Sequence, residues 1–338
     1  DYVISFLNGL NLKPFESPIN KTSSNNCGNI LCSIGNGGNF LIIAHMDTAR
    51  STKSVKPVIN DDRITSDGST VLGVDNRAGM ACILYAIEKL IKDKNKLNDF
   101  TIAFTVQEET TLLGSMNLKA GNDIRMGFVF DSYLKPGNII CKAVGSTGFT
   151  IKVIGRAAHS GIAPEKGIDA IKITADAISK LTLGRIDEET TLNVGTIMGG
   201  ESVNIVPELV HITGEVRSMD KQKMKVQIEK VKKVFESAAA FKGGKVEFES
   251  YNYFEPFGID SSHEVIKIAE ASVRSVGLNP NLTFSLGGSD ANSLNSNGIT
   301  SINFGIGAAN PHSNEEYILL QDLEKTAGIV SYLMKKHV

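Results

Sequence analysis

Mainly apolar runs recur along the first part of the chain, and each run ends at charged or polar residues. Residues 40–44, 100–106 and 126–130 are three such runs. Short runs of this kind predict strands buried on both faces, as in a parallel sheet. Between the first two runs, apolar residues at helical spacing predict a helix over residues 78–91. This alternation of strands and helices indicates an α/β domain.

The segments around these runs carry further signals. Apolar spacing predicts a helix within residues 1–12. Residues 28–34 predict another strand, which the turn-rich Gly35-Asn36-Gly37-Gly38 would join to residues 40–44 as a hairpin. The polar, irregular segment 49–70 predicts a loop.

The pattern changes after residue 143, where six elements follow in the order β-α-β-β-α-β. This is the order of the ferredoxin-like fold, an antiparallel sheet with helices on one face. The predicted elements are residues 149–154, 167–181, 191–197, 209–216, 221–241 and 245–253.

Elements of the first kind resume after Pro256 and end in a helix that begins at Leu320. We therefore predict an α/β protein with a mostly parallel sheet and an inserted ferredoxin-like α+β domain. The predicted boundaries are 1–143 for the first part of the main domain, 144–254 for the insertion and 255–338 for the second part.

Composition limits the classes of function. Of the 338 residues, 41% are hydrophobic and 21% charged, as in ordinary globular proteins. Lys and Arg (35) nearly balance Asp and Glu (37), which argues against nucleic acid or a membrane surface as a partner. No apolar run approaches the roughly 18 residues of a membrane-spanning helix, and the first residues show no secretion signal. The four cysteines are predicted to be reduced thiols, so we expect a cytoplasmic protein.

Charged residues follow the predicted strands at their carboxyl ends, where open α/β sheets bind ligands. His45 and Asp47 project to the same side, because positions i and i+2 of an extended chain do so. Taken alone, they are more simply explained as a strand-end His with a backbone hydrogen bond and an Asp that begins a turn. The further residues that change this interpretation are Asp75, Glu108, Glu109, Asp131 and His312.

So many carboxylates at one sheet edge would repel one another without a compensating positive charge. A bound dication supplies that charge, and ligation by His, Asp and Glu suits zinc. The set is too large for one tetrahedral ion. Two ions about 3.5–4 Å apart, with one carboxylate bridging them, would make economical use of these ligands. The sequence therefore predicts a two-metal site.

The motifs at these positions resemble, in order, those of one family. They are His45-Met46-Asp47-Thr48, Gly73-Val74-Asp75-Asn76-Arg77-Ala78-Gly79, Glu108-Glu109, Asp131 and Asn310-Pro311-His312-Ser313. The family is that of the di-zinc metallopeptidases, which comprises peptidase T, carboxypeptidase G, the aminoacylases and succinyl-diaminopimelate desuccinylase. The chain looks most like the peptidase T-like branch, and the resemblance runs from the region of Cys27 to the last helix.

The resemblance implies two Zn²⁺ per subunit, with Mn²⁺ or Co²⁺ as alternatives. It also implies that Asp47 orients His45 and that the Asp75–Asn76 peptide bond is cis. The implied ligands are His45 and Asp131 for one ion, Glu109 and His312 for the other, and Asp75 for both.

Glu108 is left without a metal in this scheme, as a general base requires. The alternative is a solvated charge at the end of a strand. In the inserted domain, the segment around His159 resembles the family segment whose His reaches the active site of the partner subunit. There it holds the substrate carbonyl and its developing oxyanion. The resemblance thus implies a homodimer that forms through the inserted domain.

Three further positions match family residues that contact substrate. Asn204 and Arg217 correspond to residues that hold a substrate carboxylate, a task suited to the bidentate guanidinium. For Arg217 the alternative is a salt bridge on an edge strand. Gly288, in the turn Gly287-Gly288-Ser289-Asp290, would line the substrate cleft.

We therefore expect hydrolysis of an amide bond in short peptides, in the manner of a tripeptidase or aminopeptidase, by a metal-bridging water that Glu108 activates. Deacylation of N-acyl amino acids is the alternative, because it uses the same attack on an amide. A non-catalytic binding protein on the same fold would lack Glu108 or a metal ligand. The chain contains all of them.

Overall fold

The computed structural model describes residues 1–19, 27–121 and 123–336, which divide into two compact units. The first unit comprises Asp1–Lys142, Phe257–Ser285 and Ser289–Val338, and the second comprises Ala143–Pro256 and Leu286–Gly288. The short turn at Leu286–Gly288 thus belongs with the second unit, although it is far from it in sequence.

The first unit begins with a helix and five successive strands, after which helices separate the fifth, sixth and seventh strands. Its strands are β1 (Phe15–Ser17), β2 (Asn29–Ile34), β3 (Phe40–His45), β4 (Pro57–Ile59), β5 (Arg63–Ser66), β6 (Phe100–Thr105), β7 (Met126–Ser132) and β8 (Asn138–Ala143). The helices of this part are α1 (Tyr2–Gly9), α2 (Val74–Lys92), α3 (Glu108–Thr111) and α4 (Leu113–Met116).

The elements of the second unit follow. They are β9 (Gly145–Ile154), a 3₁₀ turn (Pro164–Lys166), α5 (Ala170–Ile178), β10 (Gly184–Arg185), β11 (Thr191–Gly199), β12 (Leu209–Ser218), α6 (Lys221–Lys242) and β13 (Lys245–Phe254). The chain then returns to the first unit with β14 (Phe257–Gly258), α7 (Glu264–Ser275), β15 (Asn281–Ser285), α8 (Asp290–Ser296), β16 (Thr300–Gly305), β17 (Tyr317–Leu319) and α9 (Leu320–Met334).

The main sheet of the first unit has the order β1-β2-β6-β3-β7-β16-β8-β14, and β15 also pairs with β8. Its centre is parallel, since β3 pairs in parallel with both β6 and β7, and β7 with β16. Strands β1 and β2 run antiparallel on one side of this centre. The α/β prediction with a mostly parallel sheet is confirmed, and the carboxyl ends of β3, β6 and β7 meet at one edge.

Both faces of this sheet are covered, which explains the apolar runs. In β3, Ile42 and Ala44 belong to the core cluster that includes Ile83 of α2. Leu41 and Ile43 point the other way, into the cluster that includes Leu294 of α8. Alternate residues therefore enter different cores, and none of these positions tolerates a polar side chain.

The second unit has the predicted β-α-β-β-α-β order, with the two-residue strand β10 added before β11. Its antiparallel sheet runs β10-β11-β12-β9-β13, and residues of α5 and α6 pack on one face with Phe149, Ile151 and Val153 of β9. Asp220 caps α6 by accepting the N–H groups of Gln222 and Lys223. The ferredoxin-like prediction is confirmed. Among the described helices, none combines the length and the apolar character that crossing a membrane requires.

Two local predictions are wrong. Strands β2 and β3 do not form a hairpin, because β6 lies between them and pairs with both. Segment 49–70 is not simply a loop, because β4 and β5 pair within it and β5 also pairs with β17. The first error arises because local turn chemistry does not reveal a partner strand that lies far away in sequence. The second arises in part for the same reason, since β17 lies far from β5, and in part because β4 and β5 are short and lie among polar turn residues.

Candidate metal centre

The carboxyl edge of the parallel strands carries the predicted polar residues. His45 is the last residue of β3 and is 1% exposed. Asp131 lies near the end of β7, beside it in the sheet. Glu108 and Glu109 form the first turn of α3, directly after β6. Because these strands are parallel neighbours, their ends bring these side chains to one place.

Asp75 lies between two histidines. Its Oδ1 is 3.0 Å from Nε2 of His45, and its Oδ2 is 3.4 Å from Nε2 of His312. His45 Nε2 is also 3.2 Å from Oδ1 of Asp131, and His312 Nε2 is 3.1 Å from Oε2 of Glu109. The result is two groups of metal-ligand type, each with atoms within 4.8 Å of one another, that share Asp75.

A backbone carbonyl group orients the ring of His45. Its Nδ1 is 3.0 Å from the carbonyl O of Asp47 and 3.5 Å from that residue's Oδ1. Because a carbonyl oxygen only accepts, Nδ1 carries the proton and Nε2 is left facing the carboxylates of Asp75 and Asp131. A metal-ligating His needs this arrangement.

The carboxylate of Asp47 has a second task. Its Oδ1 accepts the backbone N–H of Glu108, and its Oδ2 accepts the backbone N–H of Glu109, both at 3.1 Å. The preceding residue, Gln107, is left-handed with a φ of 56°. Asp47 thus holds the turn on which both glutamates sit.

The backbone around Asp75 is irregular. The Asp75–Asn76 peptide bond is cis, as the resemblance implied, and regular helical geometry begins only after Asn76. The buried Asn76 side chain donates to the carbonyl of Phe130 at 2.8 Å and accepts the N–H of Gly79 at 3.1 Å. Asn76 therefore ties the start of α2 to β7.

Glu108 stands apart from the two ligand groups. Its side chain is 10% exposed, and its Oε2 is 4.0 Å from Nε2 of His45. Burial raises the pKa of Glu108 well above its usual range, and the nearby charge of Asp131 adds to this. The side chain is thus a buried carboxyl beside the two ligand groups, and not a solvated strand-end charge.

The cluster contains more carboxylates than its histidines neutralise. Burial raises the pKa of Glu109 to about 7 and that of Asp131 to about 6. The hydrogen bond to Asp75 raises the pKa of His312 to about 9. Burial acts to raise the pKa of Asp75, but the contacts with His312 and His45 outweigh it and lower the pKa. Carboxylates and imidazoles crowded in this way fit a dication.

Two buried residues that sequence reasoning did not select also contact this edge. The Oδ1 of Asn303 accepts the N–H of Asp131 at 3.1 Å. Asp290, 1% exposed, accepts the hydroxyl of Thr105 at 2.5 Å. The sequence placed Asp290 in the turn Gly287-Gly288-Ser289-Asp290 but carried no sign of its burial.

His159 and Asn204 lie together in the second unit. The N–H of Ser160 donates to the carbonyl of Asn204 at 3.0 Å, and His159 forms a β-bridge with Ile205. The exposed His159 ring accepts the N–H groups of Gly161 and Ile162 at Nδ1, at 3.2 and 3.3 Å. In the neutral ring its Nε2 is then a hydrogen-bond donor.

Arg217 and Gly288 each lie against a side chain of the second unit. The Nε of Arg217 donates to Oε1 of Glu215 at 2.9 Å, and β12, which carries both residues, is an interior strand and not an edge. A Cβ at Gly288 would overlap the ring of Phe254. Packing against Phe254 therefore favours glycine at that position.

Two family models match parts of the chain, and several proteins are similar to nearly all of it. The family described as peptidase dimerisation domain matches residues 142–242, and the family described as M42 glutamyl aminopeptidase matches residues 56–175. A Bacillus subtilis protein, described only as the uncharacterised protein YqjE, is 38% identical over 315 residues. The match covers 91% of this chain and 84% of that protein.

Two solved structures are similar throughout. The aminopeptidase PepT from Bacillus cereus is 34% identical, with a TM-score of 0.90 over 98% of this chain and 91% of that one. A tripeptidase from Staphylococcus aureus is 32% identical, with a TM-score of 0.94 over 99% of this chain and 91% of that one. The chain therefore has the same fold as these enzymes and is similar to them in sequence along nearly its whole length.

Proposed function

The chain belongs to the M20 metallopeptidases, in the peptidase T-like branch, and from this we propose that it removes the amino-terminal residue from short peptides, tripeptides among them. The observation that carries the proposal is a pair of ligand groups that share Asp75, with the buried Glu108 beside them and in neither group. Metal-dependent hydrolysis of peptides is the activity of the family branch. The amino-end preference rests on the similar structure named aminopeptidase, and the inclusion of tripeptides rests on the one named tripeptidase.

We assign two Zn²⁺ to the centre, with Mn²⁺ and Co²⁺ as alternatives that the same ligands accept. The division of Asp75 between two histidines, one for each carboxylate oxygen, supports a bridging role for that residue. When bound, such ions polarise the substrate carbonyl and lower the pKa of water. The assigned ligands are His45 and Asp131 for one ion, Glu109 and His312 for the other, and Asp75 for both.

Glu108 is the general acid and base in this proposal. Its carboxylate takes a proton from the attacking water and returns it to the leaving amine. Its low exposure keeps bulk water from competing for that proton. Asp47 assists by holding the backbone N–H groups of Glu108 and Glu109, which fixes the direction of both side chains.

We propose that His159 acts across a homodimer formed through the inserted domain, where it donates from Nε2 to the oxyanion of the substrate. The two N–H donors at Nδ1 support this, because they leave Nε2 with the proton. The match to a peptidase dimerisation domain over residues 142–242 supports the dimer. Asn204, Arg217 and Gly288 remain proposed substrate contacts.

We also propose a cytoplasmic location. All four cysteines are free, at Cys27, Cys32, Cys82 and Cys141. Free thiols, three of them buried, are typical of proteins that fold in a reducing compartment.

The test is a mixed panel of di-, tri- and tetrapeptides together with N-acyl amino acids, incubated with the metal-loaded protein. Mass spectrometry of the products should show loss of the amino-terminal residue, with tripeptides cleaved readily. Amino-terminally acetylated copies of the same tripeptides are the matched control and should resist cleavage. Turnover of the N-acyl amino acids alone would contradict the peptidase assignment and favour the deacylase.

A further inference from the structure

We infer that Glu316 is a positioning residue of the metal centre, which holds the backbone of Asp75 and the loop of His312 in a fixed relation. The inference rests on the proposed function, because it takes Asp75 and His312 as metal ligands. It concerns a residue to which neither the motifs nor the comparisons assign any role.

The carboxylate of Glu316 is buried against main chain. The residue is 2% exposed, its Oε2 accepts the N–H of Gly73 at 2.6 Å, and its Oε1 accepts the N–H of Asp75 at 3.2 Å. Among the described residues, no Lys, Arg or His side chain forms an ion pair with it. A buried carboxylate without a cationic partner is costly unless such donors hold it. Both oxygens are thus committed to the segment that carries Asp75.

The same residue lies at the base of the loop that carries His312. Ala309 and Tyr317 close that loop with backbone hydrogen bonds of 3.0 and 3.1 Å, and Glu316 directly precedes Tyr317. Within the loop, Asn310 has a φ of 51° and His312 a φ of 66°. Left-handed backbone costs energy in residues other than glycine, although Asn and His adopt it more readily than most. Contacts at the base of the loop therefore help to keep this conformation.

Glu316 therefore connects two ligand-bearing segments that are more than 230 residues apart in sequence. The other ligands do not depend on it. His45 and Asp131 come from β3 and β7, which the sheet holds in register. The turn of Glu109 is held by Asp47. Loss of the Glu316 carboxylate should thus weaken the ion at Asp75, Glu109 and His312 more than the ion at His45, Asp75 and Asp131.

The experiment titrates the full-length protein with Zn²⁺ in competition with a chromophoric chelator. A His312→Ala variant identifies which of the two binding phases belongs to the His312 group. Glu316→Gln keeps the size of the side chain but turns an amide NH₂ towards a backbone N–H. We expect it to weaken that same phase by about 10–100-fold, as is typical of residues that orient ligands, and to weaken the other phase less, because only Asp75 is common to both ligand groups.

Glu315→Gln is the matched control, since it makes the same chemical change at the exposed neighbouring residue and should alter neither phase. Circular dichroism checks that each variant is folded. If Glu316→Gln does not fold, Glu316→Asp carries the test, because it keeps the charge but shortens the reach, and the same phase should weaken.

Three outcomes would overturn the inference. Unchanged Zn²⁺ binding in the folded Glu316 variants would remove the positioning role while the proposed ligand set stands. Equal weakening of both phases would indicate a merely structural residue. Wild-type protein that binds fewer than two ions would overturn the ligand set and the inference together.

Discussion

At the scale of single residues, Glu108 and Glu109 are neighbours in sequence with different environments. Glu109 Oε2 lies 3.1 Å from His312 and shares a ligand group with it. The closest histidine nitrogen to the Glu108 carboxylate, Nε2 of His45, is 4.0 Å away. Adjacent positions at the start of a short helix point to different sides, which gives one carboxylate to the metal and leaves the other for proton transfer.

Glu108→Gln should therefore leave the metal content unchanged and lower kcat by about 10²–10⁴-fold, the effect of losing a general acid–base group. Metal analysis after gel filtration and steady-state kinetics on a tripeptide measure the two quantities. Glu109→Gln is the control, because it should lose metal as well as activity. If the Glu108 variant instead loses metal, the roles of the two glutamates are reversed.

At the scale of elements, the contact between α2 and the sheet depends on Gly79. A Cβ at this position would overlap the carbonyl O of Phe130 in β7 and the side chain of Asn76. Asn76 is the residue that ties the start of α2 to β7. The close approach of helix and strand thus determines where Asp75, one residue before Asn76, is presented.

Gly79→Ala should push α2 away from β7 and reduce the free energy of unfolding by about 1–3 kcal/mol, as expected for overpacking. Metal affinity should fall with it, because Asp75 moves. Gly9→Ala in α1 is the control: its added Cβ meets nothing within 4 Å, so stability should be unchanged or slightly higher. Denaturant unfolding of the chelator-treated proteins measures stability. Equal stability of the two variants would show that the contact between α2 and β7 accommodates the added methyl group.

At the scale of the whole molecule, the two units carry different parts of the proposed chemistry. Both candidate ligand groups, found among the described residues, lie in the first unit, whereas His159 lies in the second. In the proposed homodimer, each site takes its ligands and Glu108 from one chain and His159 from the partner. A two-fold axis makes the two sites equivalent.

Co-expression of Glu108→Gln with His159→Ala tests this arrangement. Each variant alone should be nearly inactive. With random pairing half of the dimers are hybrids, and each hybrid has one site with both residues intact, so about a quarter of the sites should recover. Activity of the purified hybrid on a tripeptide is the measurement.

The matching control is the double variant co-expressed with wild type, whose hybrids should have no intact site if His159 acts across the interface. No recovery in verified hybrids of the two single variants would show that His159 serves its own chain.

The order of chemical groups along the chain was evident before the structure. Apolar runs indicated β3, β6 and β7, because strands covered on both faces admit few polar residues. A parallel sheet collects the carboxyl ends of its strands at one edge, so the residues after those runs could be expected to meet. The β-α-β-β-α-β pattern likewise indicated the ferredoxin-like unit. Helices cover only one face of its sheet, so apolar and polar residues alternate along the strands.

Contacts between distant residues were decided only by the tertiary structure. The insertion of β6 between β2 and β3, the pairing of β5 with β17, and the burial of Glu316 against Gly73 and Asp75 leave no local mark in the sequence. The local sequence around a charged residue in a polar loop does not show whether its side chain faces solvent or accepts backbone N–H groups from a segment more than 230 positions away. Hydrophobic periodicity reports which face of an element is buried, but it does not report which other element buries it.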